Sequence, residues 1–409
     1  MFTASRLVLA RKRRALSLVQ LSREVGISLQ SLSNYENGRQ EPLPQVVKQL
    51  SLVLKFPEEF FSLPELDPLE QDALSFRARS KLPARKRDMA LSVGRLAIEF
   101  DHWLAQHFRL PQPDLPSLSK PDPETAASMV RARWGIGLTP AGNMVHLLEA
   151  HGVRVFSLSP EYSDVDAFSF FHGETPYVFL NLTKSAERGR FDAAHELGHL
   201  ILHGQGCDLT RVNAEQEAND FAGAFLMPRE SVAAHMPANP LIDQILHGKK
   251  IWNVAALALT YRMHDIGMLS DWHYRRTCIE LGKRGYRSGE PDGIPRETSQ
   301  LLAKVFKALR AKGITRSDIA RELHLDVDEL NGYVFGIVIT ALGGRLSVPE
   351  ADTQELSGIR ETTCHEYDRE HCSSSTSLAS FMVTSTRADG FSVSTAEIAS
   401  AAGTSSELA

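Results

Sequence analysis

The sequence has few cysteines and no long apolar runs. Four cysteines occur in 409 residues, and their scatter does not resemble the framework of a disulfide-rich secreted domain. No stretch approaches the roughly 18 consecutive apolar residues that a transmembrane helix needs, and no apolar signal segment follows the first residues. These absences predict a soluble, cytoplasmic protein that has reduced thiols and no membrane contact.

Charge is distributed unevenly along the chain. The net charge is −5, yet residues 1–50 contain eight Lys or Arg against three acids. That segment therefore carries +5, and the remainder carries −10. A basic segment on an acidic body is typical of nucleic-acid binding at that segment. The length is sufficient for two or three domains, each with its own core.

The basic segment is predicted to form three short helices, over residues 4–14, 17–25 and 28–35. Ser17 and Ser28 are well placed as N-caps, and Gly26 lies in the connection between the last two helices. Short helices joined by a turn that contains glycine are typical of a helix-turn-helix. The residues from Gly26 to Pro42, GISLQSLSNYENGRQEP, resemble the DNA-binding domain of the XRE family.

The third helix would then read DNA in the major groove. We expect Gln30, Ser31 and Asn34 to face outward, where amide side chains can pair with adenine edges. Side chains predicted to contact phosphate are Arg11, Arg14, Asn37 and Arg39. A double-stranded DNA operator is therefore the expected partner, and a homodimer would suit palindromic half-sites. A helical cap used only for protein contacts is the alternative.

A second motif, HELGH at residues 195–199, predicts a metal centre. His195 and His199 are four residues apart on one helical face, so both imidazoles can reach one ion. Glu196 between them supplies a base. The helix is otherwise largely apolar, and two buried histidines without a partner would be costly there.

A catalytic zinc ion usually takes three protein ligands and a water molecule. The third ligand is predicted to be Glu215, on a second amphipathic helix over residues 214–222. Asn219 lies one turn further along the same face, where it can accept the second ring N–H of a ligating histidine. Glu217 is the rival ligand, but it points away from that face.

These residues resemble the ImmA/IrrE family of zinc metallopeptidases. The resemblance rests on RFDAAHELGHLILH at residues 190–203, on the 215–228 segment with its LMP end, and on segments up to Pro291. It implies a zincin-like domain over residues 118–291 and an intracellular Zn²⁺-dependent endopeptidase. It also implies a protein substrate, because well-known family members act on repressors of the helix-turn-helix type.

The whole chain is predicted to be mainly α with a small mixed sheet (α+β). Five consecutive parts are expected: a five-helix-type helix-turn-helix domain at residues 1–64, a basic helical linker at 65–117, the metallopeptidase domain at 118–291, a helical region that resembles a helix-turn-helix at 292–348, and a Ser/Thr-rich disordered tail at 349–409. In the tail, 16 of the 37 residues from Ser373 to Ala409 are Ser or Thr.

Three functions compete at this point. In the first, a DNA-binding regulator carries a zinc endopeptidase: His195, His199 and Glu215 bind the metal and Glu196 activates water. Tyr261, Arg262 and His264 are then candidates for stabilising the oxyanion. In the second, a transcription factor uses the metal pocket to sense a ligand or to stabilise its fold. The third is an antitoxin-like regulator that binds a protein partner.

Overall fold

The computed structural model describes residues 1–67, 69, 83–159, 167–204 and 213–335. Within these ranges it contains sixteen α-helices, a 3₁₀ helix at Glu58–Ser62 and one three-stranded sheet. The chain is therefore mainly α with a small mixed sheet, as the sequence predicts. Among the described helices, none is long and apolar enough to cross a membrane. The predicted tail over residues 349–409 lies outside the described residues.

The elements fall into three groups along the chain. The first group is helical: α1 (Ala4–Arg13), α2 (Leu18–Val25), α3 (Leu29–Glu36), α4 (Pro44–Leu54) and α5 (Ala84–His107). The second surrounds the sheet: α6 (Pro123–Arg133), α7 (Met144–Ala150), β1 (Arg154–Leu158), β2 (Ala167–His172), β3 (Thr175–Asn181), α8 (Ala186–Leu202) and α9 (Ala214–Leu226). The third is helical again: α10 (Arg229–His235), α11 (Ile242–Trp252), α12 (Ala256–Asp265), α13 (Asp271–Lys283), α14 (Gln300–Ala311), α15 (Arg316–Glu322) and α16 (Val327–Tyr333).

The first four helices and the 3₁₀ helix form the helix-turn-helix domain. Ser17 caps α2 through a hydrogen bond from the Gln20 backbone N–H, and Ser28 caps α3 in the same way. Gly26 ends α2 with a φ of 74°, a left-handed conformation that glycine adopts without steric cost. The three predicted helices and both predicted caps are therefore confirmed.

Helix α5 connects the domain to the rest of the protein. Its Glu99 forms a two-point ion pair with Arg6 of α1. Two residues further along, the buried Asp101 accepts hydrogen bonds from Arg154 of β1 and from the Tyr177 hydroxyl of β3. A buried carboxylate needs such partners to offset its desolvation. The segment predicted as a basic linker thus contains a helix whose side chains fix it to two neighbours.

The sheet has the strand order β1-β3-β2. β1 runs parallel to β3, whereas β2 and β3 form an antiparallel hairpin across Gly173 and Glu174. Helix α8 packs against β2 and β3, and α9 packs on α8. Gly198 permits this last approach, because a Cβ atom there would lie 3.2 Å from the Ala218 backbone. The sheet therefore supports α8, and α8 in turn supports α9.

The C-terminal helix α16 returns to the first helix of the chain. Glu329 of α16 is buried, and its carboxylate accepts hydrogen bonds from Arg13, Arg14 and the Tyr333 hydroxyl. The Arg13 side chain is only 5% exposed. Asp326, Asp328 and Glu329 of this helix-turn-helix-like region would repel DNA phosphates, which suggests that the region does not bind DNA. The contacts of Glu329 with α1 agree with a structural role.

Glu329→Gln is expected to lower the free energy of unfolding by about 3 kcal/mol at neutral pH, because Arg13 stays buried without its counter-charge. Burial alone would raise the pKa of the Glu329 carboxyl, but the two arginines and the hydrogen bonds outweigh it, so the net pKa is lowered. The stabilisation is therefore complete above the unfolded-state pKa of about 4.3 and is lost as pH falls through the lower folded-state value.

Urea titrations at several pH values measure this effect. The difference between wild type and Glu329→Gln should be largest near neutral pH and should shrink below about pH 4. Asp328→Asn is the matched control, since Asp328 is exposed one residue earlier on the same helix. Equal stability of Glu329→Gln and Asp328→Asn at pH 7 would contradict the prediction.

Candidate metal centre

Helix α8 brings the two histidines of the HELGH motif together. Ser185 caps the helix, and one turn separates His195 from His199 on its buried side. The two rings are 1% and 3% exposed. Their Nε2 atoms lie 3.1 Å apart. Both imidazoles therefore present the same nitrogen to one point in the interior.

Helix α9 adds a carboxylate at that point. Oε1 of Glu215 lies 3.2 Å from Nε2 of His199, and Oε2 lies 4.0 Å from Nε2 of His195. The three side chains can place their ligand atoms within 4.8 Å of one another. Ligands at about 2.0–2.1 Å from a tetrahedral zinc ion are roughly 3.3 Å apart, so the observed spacing fits such an ion.

The opposite edge of each ring also has a partner. Nδ1 of His195 lies 3.0 Å from Oδ1 of Asn219, which can only accept, so this nitrogen carries the proton. Nδ1 of His199 lies 3.2 Å from Nδ1 of His203. In the tautomer in which Nδ1 is the donor on both rings, the two Nε2 lone pairs face each other. Such an arrangement is favourable only with a cation between them.

Glu196 lies beside this centre and is also buried, at 1% exposed. Its Oε2 accepts a hydrogen bond of 2.6 Å from the Ser169 hydroxyl of β2. Burial raises the pKa of the Glu196 carboxyl above its ordinary value. A carboxylate with a raised pKa is a better proton acceptor near neutral pH, which suits a general base.

Glu217 does not join the cluster of three ligands. Its Oε2 lies 2.7 Å from Nε2 of His203, on the far side of His199. Sequence reasoning missed two neighbours of the centre, Ser169 and His203. The spacing of His203, four residues after His199, is a signal that could have found it.

An open cleft of about 820 Å³ lies beside the centre, and Asn219 is part of its wall. Of the three oxyanion candidates, Tyr261 lines this cleft and is 47% exposed. Arg262 also lines it, but its buried guanidinium forms ion pairs with Glu124 and Asp265. His264 forms an ion pair with Asp271 near the surface. Arg262 and His264 are therefore engaged in ion pairs, and Tyr261 is the remaining candidate for stabilising the oxyanion.

The predicted DNA-binding residues lie together on the helix-turn-helix domain. Gln30 and Arg39 are exposed, and Ser31 and Asn34 are partly exposed. The Gln30 amide donates to Asn34 across one turn of α3, at 3.2 Å. This face of α3 is accessible to a duplex.

Two predicted phosphate contacts are instead engaged within the protein. Arg11 forms a two-point ion pair with Glu36. Arg14 binds Glu329 and the carbonyl oxygens of Leu54 and Lys55. These guanidinium groups hold α1 in place, so Arg39 is the better candidate for a phosphate contact.

Two segments of the chain match models of known protein families. Residues 7–61 match the family model described as helix-turn-helix. Residues 148–263, which include all three candidate ligands and Glu196, match a peptidase family model described as IrrE N-terminal-like domain. No curated protein sequence matches the chain. The chain therefore combines a segment similar to XRE-type helix-turn-helix domains with a segment similar to ImmA/IrrE-family peptidase domains.

Proposed function

We propose that the chain is a DNA-binding regulator that carries a zinc-dependent endopeptidase. The convergence of His195, His199 and Glu215 next to the buried Glu196 is the observation that carries this proposal. A structural zinc site usually fills all four positions with protein ligands and has no use for a base. Three ligands and an adjacent carboxylate are what a hydrolytic site requires.

Zn²⁺ bound there would polarise the scissile carbonyl and acidify a bound water molecule. Glu196 would accept a proton from the attacking water molecule and pass it to the leaving amine nitrogen. The Ser169 hydroxyl donates a hydrogen bond to Oε2 of Glu196, and this contact also fixes the orientation of the second oxygen, Oε1. Asn219 fixes the His195 ring through Nδ1. The C–N bond of the peptide breaks, and water supplies the new carboxylate oxygen and the amine proton.

The substrate that we propose is a regulatory protein of the repressor type, in line with the resemblance to ImmA/IrrE peptidases. To test this, the purified zinc-loaded protein is incubated with helix-turn-helix repressors encoded by neighbouring genes, and the products are analysed by mass spectrometry. Cleavage at one defined peptide bond is expected. A metal-loaded protein that binds DNA but cleaves none of these repressors would argue against the proposal.

A ligand-sensing regulator without proteolysis is the second candidate function. The observation that favours it is the cleft, which has room for a small molecule and shares Asn219 with the metal centre. A cleft ligand could thus act on the ring of His195. The same incubation separates the two functions: the sensor hypothesis requires metal binding and DNA binding with all candidate substrates intact.

DNA binding is proposed to use α3 for sequence and Arg39 for the backbone. Arg39→Ala is expected to weaken binding about equally on all duplexes and to reduce the slope of log K against log salt by about one. Gln30→Ala should instead cost about 1–3 kcal/mol on the preferred sequence only, because it removes a contact to a base edge.

Fluorescence anisotropy on a selected operator and on a random duplex, at several salt concentrations, measures both effects. Gln49→Ala is a suitable control, since Gln49 is exposed on α4. A wild-type salt slope for Arg39→Ala would contradict its role at a phosphate.

A further inference from the structure

We propose that His203 and Glu217 are positioning residues that fix the ring of His199 for metal binding. The proposal rests on the metal centre proposed above and assigns a role to two residues outside its ligand set. Nδ1 of His199 lies 3.2 Å from Nδ1 of His203, and Nε2 of His203 lies 2.7 Å from Oε2 of Glu217. The three side chains thus form a continuous chain from the metal site to the partly exposed carboxylate of Glu217 on α9.

The chemistry of the three groups sets the direction of both hydrogen bonds. The Glu217 carboxylate only accepts, so Nε2 of His203 must carry a proton and donate. In the neutral imidazole, Nδ1 of His203 is then the acceptor, and Nδ1 of His199 is the donor. This leaves Nε2 of His199 with a lone pair that is directed at Glu215 and His195. Glu217 therefore selects, through His203, the tautomer of His199 that a metal ion requires.

Both ring nitrogens of His203 have partners in this arrangement, and its Nδ1 faces the edge of His199 that lies away from the ligand cluster. His203 is therefore not placed as a fourth ligand. Its ring is 8% exposed, whereas the Glu217 side chain is 29% exposed. The carboxylate thus keeps part of its hydration, and the hydrogen bond to His203 links it to the buried ligand.

The two ligand rings are supported by different groups. His195 donates to the neutral amide oxygen of Asn219, at 3.0 Å. His199 donates to an imidazole that is itself bound to a carboxylate. A carboxylate at the end of such a chain raises the basicity of the ligand nitrogen more than an amide does. Glu217, the alternative third ligand in the sequence, is thus assigned a different role, which is to support His199 through His203.

The test measures zinc affinity, and no substrate is needed. The dissociation constant for Zn²⁺ is determined by competition with a chromophoric chelator for wild type, His203→Leu and His203→Asn. His203→Leu removes the acceptor and is expected to weaken zinc binding by about 10–100-fold. Asn can place Oδ1 near the position of Nδ1, so His203→Asn should recover most of the affinity. His247→Leu is the matched control, because His247 is exposed on α11.

Two further measurements separate orientation from folding. The visible spectrum of the Co²⁺-loaded protein should change in His203→Leu and return toward wild type in His203→Asn, because it reports ligand geometry. Glu217→Ala should weaken zinc binding several-fold in the wild-type background, but it should have no further effect in the His203→Leu background, because Glu217 acts through His203.

The outcomes distinguish this proposal from the proposed function. A wild-type protein that binds no Zn²⁺ would overturn the metal centre itself. If wild type binds Zn²⁺ and His203→Leu has the same affinity and the same Co²⁺ spectrum, the metal centre stands and the positioning role is wrong. A full additional loss from Glu217→Ala in the His203→Leu background would also overturn it, since Glu217 would then act by another route.

Discussion

Glu196→Gln is expected to lower kcat for peptide hydrolysis by about 10²–10⁴-fold while zinc affinity stays within a few-fold of wild type. The amide has nearly the shape of the carboxylate, and its oxygen can still accept the hydrogen bond from Ser169. It cannot accept a proton from water. The variant therefore lacks the base but keeps the three proposed ligands, so the loss of activity comes from a slower chemical step.

Paired assays of cleavage and metal content test this expectation. Single-turnover cleavage of a responsive repressor gives the rate of the chemical step, and elemental analysis gives the zinc bound to each protein. Glu230→Gln is the matched control, because Glu230 is exposed on α10. A Glu196→Gln protein that holds zinc and still cleaves at the wild-type rate would show that another group is the base.

The helix-turn-helix domain could be predicted closely because its signals are local. Ser17, Ser28 and Gly26 mark helix ends within a few residues of the turns that they stabilise. The functional use of its basic residues could not be predicted in the same way. Arg13 and Arg14 bind Glu329, more than 300 positions away in sequence. The positive charge of residues 1–50 predicted a phosphate contact for Arg14. No local pattern indicates that its partner, Glu329, lies so far along the chain.

The candidate metal cluster of His195, His199 and Glu215 could be predicted for a similar reason. Each of its helices has a simple periodicity, and the facing rule orders Glu215, Glu217 and Asn219 on α9. The hydrogen-bonded series His199, His203 and Glu217 could not be predicted, because it depends on how closely α8 and α9 approach each other. That distance is set by Gly198, whose lack of a Cβ brings the Ala218 backbone against α8. A sequence pattern gives the face of each helix but not the separation of two helices.

The identity of the third ligand is tested most directly by comparing two acidic residues on α9. Glu215→Ala is expected to weaken zinc binding by more than about 100-fold and to abolish cleavage. Four-ligand zinc sites bind with about 10–16 kcal/mol, so one ligand contributes roughly 3 kcal/mol. Glu217→Ala is expected to cost only several-fold, because its carboxylate reaches the metal site through His203. The two variants remove the same charge from the same helix, two residues apart.

The contrast between these two variants excludes explanations based on helix stability or net charge, since both effects are nearly the same at the two positions. Chelator competition gives both affinities, and the thermal shift on adding Zn²⁺ gives an independent comparison. Glu215→Gln should lie between wild type and Glu215→Ala, because an amide oxygen is a weaker ligand than a carboxylate oxygen. If Glu217→Ala lost zinc and Glu215→Ala kept it, the carboxylate that lies 3.2 Å from His199 would not be the ligand. The two helices would then have to meet differently when the ion binds.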